Sequence, residues 1–278
     1  MESGSAVSGG AVSGSAAGRI RAFYDREAQR EWERLDRHRT ELAVTRAVLR
    51  DHLPPPPAAI LDAGGGPGRY ALALAQDGYR VTLLDLSPVA LELARRRAAE
   101  LGVELAAVRE GNATDLGPFP AATFEAVLLL GPLYHLLGQQ ERAQAVQEAR
   151  RVLRPGGVLF AAFLTRYAPL RYIAKRDPAR LVSQRQRWET LLATGILGTA
   201  GGTFTDVYGA APTEIRPFME PLGFETVELV ACEGVVSMID EQLNSLQGEL
   251  WDTWVALNRR LGTDPSVHGA AEHLLYVG

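Results

Sequence analysis

Lysine and cysteine are nearly missing from this chain of 278 residues: Lys175 and Cys232 stand alone, against 28 arginines. One cysteine rules out a disulfide framework, a cysteine-built zinc site and an iron–sulfur cluster, and suits a reducing interior. One lysine, far from any glycine cluster, rules out a phosphate loop ending in Gly-Lys-Ser/Thr and leaves a single candidate for Schiff-base chemistry. Basic excess is missing too. With 33 Asp and Glu against 29 Lys and Arg the formal net charge is -4, so no global field gathers nucleic acid. The longest apolar stretch, residues 126–137, is interrupted by Gly131, Pro132 and His135. It falls short of the roughly 18 residues that a membrane-crossing helix needs. The first 18 residues hold ten Gly or Ser, without the basic start and apolar block of an export signal. They read as a flexible tail, and the chain as cytoplasmic, with no membrane partner and nucleic acid disfavoured.

What is present is an ordinary packed globule in its proportions, 46% hydrophobic and 22% charged. The length fits one elaborated domain or two small ones. Between 19 and 50, nine Arg and six acids surround Ile20, Phe23, Trp32, Leu35, Leu42 and Leu49 at helical spacing. Pro54 to Pro57 end that segment, since proline cannot continue a helix. Short apolar runs then alternate with amphipathic stretches. Strands are expected at 58–62, 81–84, 105–109, 126–130 and 158–164, and helices at 70–76, 88–100 and 141–153. This rhythm implies right-handed crossovers, a parallel sheet with helices on both faces, and a ligand at the carboxyl ends of the strands.

Residues 166–210 break the rhythm. Arg166, Arg171, Lys175, Arg176, Arg180, Arg185 and Arg187 meet little acid there, with Tyr167, Tyr172 and Trp188 interleaved. A helical lid over the ligand edge is expected, suited to an anionic small acceptor; an RNA-binding face is the rival reading. A helix at 213–222 and a strand at 225–232 follow. Next comes one helix whose Ile239, Leu243, Leu246, Leu250, Trp254, Leu257 and Leu261 make an apolar stripe, and then a strand at 273–277. The divisions are thus a tail at 1–18, a helical cap at 19–56, a core at 57–164, an insertion at 165–210 and a completion of the sheet at 211–278. His268 and His273 are read as loop and strand, with no metal site.

The informative segment is Asp62-Ala63-Gly64-Gly65-Gly66-Pro67-Gly68-Arg69-Tyr70, between the first strand and its helix. Glycines there let backbone pass beneath a ligand, and the helix N-terminus offers free N–H groups. The spacing is G-x-G-x-G, whereas a dinucleotide fingerprint is G-x-G-x-x-G. Asp85 ends the second strand, where an acid can accept both ribose hydroxyls. Glu110-Gly111-Asn112-Ala113-Thr114-Asp115 follows the third strand. The fourth runs into Leu130-Gly131-Pro132-Leu133-Tyr134-His135, and Arg154-Pro155-Gly156-Gly157 makes a turn before the fifth.

In this order, these segments resemble the motifs of class I S-adenosylmethionine-dependent methyltransferases, in particular a bacterial subset acting on small molecules. The resemblance covers residues 58–164 closely. It implies an α/β, Rossmann-like, doubly wound seven-stranded sheet, mostly parallel with an antiparallel last strand, plus helical lid elements. It also implies S-adenosyl-L-methionine as cofactor and methyl transfer by in-line displacement to a small-molecule acceptor. Asp62, Gly64, Gly66 and Gly68 would then hold the amino-acid end, Asp85 the ribose, and Leu86, Asn112 and Ala113 the adenine, with Leu130 beside them. Asn112 stands where an acid is commoner in the family. Tyr134 and His135 would face the acceptor as catalytic residues, and Tyr24 and Trp32 would close over the site.

Plainer roles stand beside these. His135 can cap a helix, Tyr134 and Tyr24 can pack in a core, and Asn112 can hold its own loop. A nicotinamide-dependent oxidoreductase shares the strand, the loop and Asp85. A methyltransferase acting on RNA or protein and a non-catalytic cofactor-binding module are the other rivals. The acceptor and the oligomeric state have no signature in the sequence.

Overall fold

The structure is a computed structural model that describes residues 15–198 and 205–278. Residues 1–14 of the expected tail lie outside the described residues. Ser15 accepts a hydrogen bond from the Gly18 amide and caps α1 (Ala16–Arg37), so residues 16–18 belong to a helix rather than to the tail. α2 (Arg39–His52) follows, and ends before the proline run.

Five strands run parallel: β1 (Ala59–Ala63), β2 (Arg80–Asp85), β3 (Ala107–Glu110), β4 (Phe124–Leu129) and β5 (Leu153–Thr165), in the order β3-β2-β1-β4-β5. The helices between them are α3 (Arg69–Gln76), α4 (Pro88–Leu101), α5 (Pro132–His135) and α6 (Gln139–Val152). β1, β2 and β4 are continuous apolar runs because both faces of the sheet are covered. Val48 and Leu49 of α2, Leu74 of α3 and Leu91 of α4 pack on one face, with Ile60 and Leu83. Val146 and Val152 of α6 pack on the other, with Leu61 and Leu129.

After β5 the chain forms α7 (Ala168–Arg176), α8 (Arg180–Ser183) and α9 (Arg185–Thr194); α7 and α9 share a small core of Ile173, Trp188 and Leu191. A hairpin of β6 (Ile196–Leu197) and β7 (Val207–Ala210) then attaches to Leu164 and Thr165 at the carboxyl end of β5. α10 (Pro212–Met219) leads to β8 (Glu228–Ala231). α11 (Asp240–Asn244), α12 (Gly248–Leu261) and α13 (Pro265–His268) precede β9 (His273–Val277), which is antiparallel to both β5 and β8. The expected seven-stranded sheet with its antiparallel last strand is present, and the hairpin adds two strands to it.

Three other expectations are corrected. Arg154-Pro155-Gly156-Gly157 is not a turn ahead of β5 but an excursion inside it. The register against β4 steps from Phe124↔Leu153 to Ala126↔Val158, and Gly156 takes the left-handed φ of 76°. The long apolar stripe is not one helix. It breaks between α11 and α12, and Gly248 at φ 58° resets the angular register. Leu250 and Trp254 therefore face outward, 56% and 37% exposed, while Val255 packs on the core. Trp251 lies under the Arg39 guanidinium at 4.1 Å. His268 ends α13 rather than lying in a loop.

Candidate active site

Asp62 sits at the carboxyl end of β1, paired in register with Leu83 of β2, and Asp85 is the last residue of β2. The loop between β1 and α3 crosses this edge through Gly64 N–H donating to the Leu84 carbonyl at 2.6 Å. Gly64 and Gly66 take φ of 79° and 55°, a region that side chains disfavour. A Cβ on Gly65 would lie 2.4 Å from Asp62 Oδ2 and 2.6 Å from Leu83 Cδ1. Around Gly66 a Cβ would meet nothing within 4 Å, so that stretch of backbone borders open space. Gly68 differs. It caps α3 and nests against Ala94 and Leu83, a packing role outside the cavity lining.

The two acids differ in how they are held. Asp85 accepts the Gly66 amide on Oδ2 and the Ser87 amide on Oδ1, both at 2.8 Å, and burial pushes its carboxyl up to about 6 despite those bonds. Asp62 is 1% exposed, and neither of its oxygens has a hydrogen-bond partner among the described residues. Burial first and Asp85 second push its carboxyl up to about 7, against a smaller pull from the Ala71 amide, which approaches the carboxyl without reaching full hydrogen-bond geometry. A buried carboxyl without partners is costly unless a cation or donor comes to it.

Both acids border a cleft of about 940 Å³, including the part open to solvent. Its walls include Gly64, Gly66, Leu86, Asn112, Ala113, Leu130, Tyr134 and His135, so most of the expected site residues converge. α1 forms the roof with Tyr24, Arg34 and Leu35. It is fastened to the core by Ser87 Oγ donating to Asp25 at 2.6 Å and by Arg69–Asp36 and Arg21–Glu110 pairs, both at 2.7 Å. The two ion pairs are partly exposed and contribute little each.

His135 is 8% exposed and engaged at both ring nitrogens, Nε2 with the Tyr24 hydroxyl at 2.6 Å and Nδ1 with Thr205 Oγ1 at 2.9 Å. Burial pulls its pKa down to about 3, so the ring is neutral at neutral pH. Burial also raises the Tyr24 hydroxyl, so that O–H stays protonated and donates to Nε2. Tyr134 packs its ring 4.7 Å from that of His135 and is likewise held neutral by burial.

Two expected positions change, those of Trp32 and the insertion, and the reach of Asn112 is narrowed. Trp32 does not reach the cleft: it packs on Ala90 and Leu93 of α4, with the Arg69 and Arg97 guanidinium groups 4.8 and 5.1 Å from its ring. Asn112 uses its side-chain oxygen on the Thr114 amide at 3.0 Å, leaving the NH2 end for a ligand. Among the described residues none of the 166–210 insertion lines the cleft, and it enters only through Thr205 behind His135. The roof is therefore α1. Arg34, missed in the sequence, is a cation on the cleft wall beside Tyr24 and Tyr134, where Arg69 at the start of α3 is a second. Nothing separates it from eight other arginines between 19 and 50 until α1 is docked.

Residues 61–161 match the family described as methyltransferase domain. Over 122 residues the chain is 39% identical to a ubiquinone biosynthesis O-methyltransferase of Methylocella silvestris, covering 42% of this chain and 45% of that protein. Over 101 residues it is 42% identical to the chloroplastic 2-methyl-6-phytyl-1,4-hydroquinone methyltransferase 2 of rice, Oryza sativa subsp. japonica, covering 36% and 27%. The chain thus spans less than half the length of these two relatives. In shape it resembles the crystal structure of a SAM-dependent methyltransferase from Methanosarcina mazei, with a TM-score of 0.55 and 24% identity over 66% of this chain and 86% of that one. That likeness is one of fold.

Proposed function

We propose, on the premise that residues 61–161 form a methyltransferase domain, that this protein transfers a methyl group from S-adenosylmethionine to a small-molecule acceptor. Asp62 carries the reading. An unpartnered buried carboxylate at the glycine loop calls for an ammonium, which the methionine part of that donor has. It would repel a diphosphate, which disfavours a nicotinamide dinucleotide in the same cleft. The Gly66 backbone offers room for the amino-acid end, Asp85 faces the ribose, and Asn112 and Leu86 flank the adenine edge.

S-adenosylmethionine, when bound, supplies an electrophilic methyl on a sulfonium sulfur. The chain's own task is then alignment and exclusion of water. α1 roofs the cleft, and positioning of two reactants contributes on the order of 7–11 kcal/mol in well-oriented systems. His135 holds Tyr24 across the roof, and among the described residues its imidazole is the one neutral nitrogen base on the wall. An imidazole held near 3 is too weak to deprotonate a free phenol, so a proton would reach Nε2, with the Tyr24 hydroxyl swung aside, only as the new C–O bond turns the acceptor oxygen into a strongly acidic oxonium.

The apolar and aromatic wall of Tyr24, Leu130, Pro132, Tyr134 and Leu136 suits a flat acceptor. A hydroquinone or phenolic hydroxyl is the acceptor class we infer; of the two relatives, one is named an O-methyltransferase of ubiquinone biosynthesis and the other a hydroquinone methyltransferase. Among the described residues no helix is long and apolar enough to cross a membrane. A cytoplasmic location is part of the same reading.

The test is mass spectrometry of a hydroquinone, phenol and amine panel incubated with protein and isotopically labelled donor. A labelled product from the hydroxyl compounds is expected. Label on none of the panel would set the reading aside. His135→Ala should lower turnover at saturating donor by roughly 10²-fold or more, with donor affinity changed by less than about twofold. Because the buried ring stays neutral down to about pH 3, the wild-type rate should show no inflection near 6.5 from this histidine. Equal turnover would reduce the residue to a structural part of the roof, whereas a His135-dependent inflection at 6.5 would contradict the buried, neutral ring described here.

A further inference from the structure

Outside the cleft, the one group of three metal-ligand side chains among the described residues is Glu41, Glu233 and His273. Its spacing argues against an ion. His273 Nδ1 lies 2.6 Å from Glu233 Oε1, a hydrogen-bond separation. Two ligands on a tetrahedral zinc, each about 2.0–2.1 Å from the metal, stand more than about 3 Å apart.

The same Nδ1 lies 3.7 Å from Glu41 Oε2, so two carboxylates converge on one ring nitrogen. Glu233 and Glu41 are 2% and 6% exposed. Glu233 is fixed from behind, its Oε2 accepting the Glu272 and His273 amides at 3.1 and 2.9 Å. Glu41 turns its other side to α1 and grips Arg34 with both oxygens, at 2.6 and 3.0 Å. Arg34 Nε reaches Glu31 at 2.8 Å. The charges therefore alternate from the interior outward, through Glu233, His273, Glu41, Arg34 and Glu31, and the last two, a cation and its acid partner, stand on the cleft wall. One N–H cannot serve both carboxylates, but a positive ring can balance both. With the ring neutral, two buried carboxylates would share one guanidinium.

We propose that His273 is a positioning residue: as an imidazolium between Glu233 and Glu41 it fixes Glu41, and through Glu41 the Arg34 guanidinium that α1 presents to the cleft. Arg34 would there oppose an anionic group of whatever the cleft binds, which rests on the functional reading above. The brace itself does not. The two glutamates push the His273 pKa up to about 9, and Arg34 with His273 holds Glu41 down at about 2. Other charged and titratable groups around the network are Arg34 from α1, His38 at the α1–α2 junction, Tyr70 from α3 and Cys232 after β8, of which Arg34 opposes the proton on His273. A histidine whose folded pKa is raised stabilises the folded protein fully below about 6.5, and that contribution is lost as pH rises through about 9.

Two measurements on the ligand-free protein test this. The first is a titration by ¹⁵N NMR of the five imidazole rings. One ring should remain protonated to about pH 9, with its signal absent in His273→Gln. The second is hydrogen exchange at pH 7.5. His273→Gln and Glu41→Gln should each speed exchange of the α1 amides at 28–37 by at least fivefold, while the β4–β5 ladder keeps its wild-type rates. A His273 ring that is neutral at pH 7.5 would overturn the proposal. So would loosening confined to β8 and β9, which a purely structural histidine would give. Should the protein fail to bind S-adenosylmethionine while both results hold, the proposed function would fall and the brace would stand.

Discussion

Asp62→Asn is expected to make the ligand-free protein more stable and the liganded protein weaker. The Asp62 carboxyl is pushed up to about 7 in the fold, whereas an unfolded chain ionises it near 4. Above about pH 4 the unfolded state therefore binds fewer protons than the folded one, and stability falls as pH rises through the window 4 to 7. The penalty is complete above 7, on the order of 3–4 kcal/mol for a shift of about three units. An amide at this position has no charge to desolvate but still lacks partners, so roughly 1–3 kcal/mol of gain should remain. At pH 8 the melting temperature should rise by roughly 3–8 °C, and at pH 4 the two proteins should melt alike. Donor affinity should move the other way, by roughly 10- to 150-fold, because a charge-assisted contact contributes about 1.5–3 kcal/mol. Scanning calorimetry at the two pH values, followed by a donor titration, reads all three. A melting temperature lowered at pH 8 would mean that Asp62 is held by the fold rather than kept for a ligand.

The second large effect belongs to Gly65→Ala. Its Cβ would lie 2.4 Å from Asp62 Oδ2 and 2.6 Å from Leu83 Cδ1, inside any contact distance. Both neighbours are buried, with Leu83 at 0% exposed, so the added methyl has to turn the Asp62 carboxyl out of its place or shift Leu83 in the core. Overpacking of this kind costs about 1–3 kcal/mol, which for a domain of this size lowers the melting temperature by roughly 3–10 °C. Displacing Asp62 should also weaken donor binding by roughly 30-fold or more. Gly66→Ala is the matched control. No protein atom lies within 4 Å of its Cβ, so the fold loses only the cost of a left-handed alanine, about 1 kcal/mol, while the ligand cradle is filled. If Gly66→Ala left donor affinity intact, the amino-acid end would not lie over this loop.

The part of the site that was legible is local in sequence. A buried parallel strand reads as an apolar run, and a loop passing under a ligand has few alternatives to glycine. Asp62, Gly64, Gly66 and Asp85 could therefore be named, and they border one cleft. What was hidden depends on how distant segments dock. Arg34 is one of nine arginines between 19 and 50, and only the rotation of α1 against the core selects it. Trp32, two residues earlier, is turned by the same rotation onto α4. The insertion showed its charge but not its position, because composition does not say where a segment packs. His273 is one residue of an apolar strand in the sequence, and its glutamate partners come from α2 and from the turn after β8. The break before Gly248 and the excursion at Gly156 are single-glycine events, invisible to a periodicity count over the flanking leucines.

The most direct test is calorimetric titration of the ligand-free protein with S-adenosylmethionine at pH 6.5, in two buffers of different protonation enthalpy, with a nicotinamide dinucleotide titrated in parallel. Saturable one-to-one binding of S-adenosylmethionine is expected, with release of part of a proton as an ammonium reaches Asp62 and draws its pKa down, and no heat from the dinucleotide. Absence of heat with S-adenosylmethionine, together with saturable binding of the dinucleotide, would contradict the central claim.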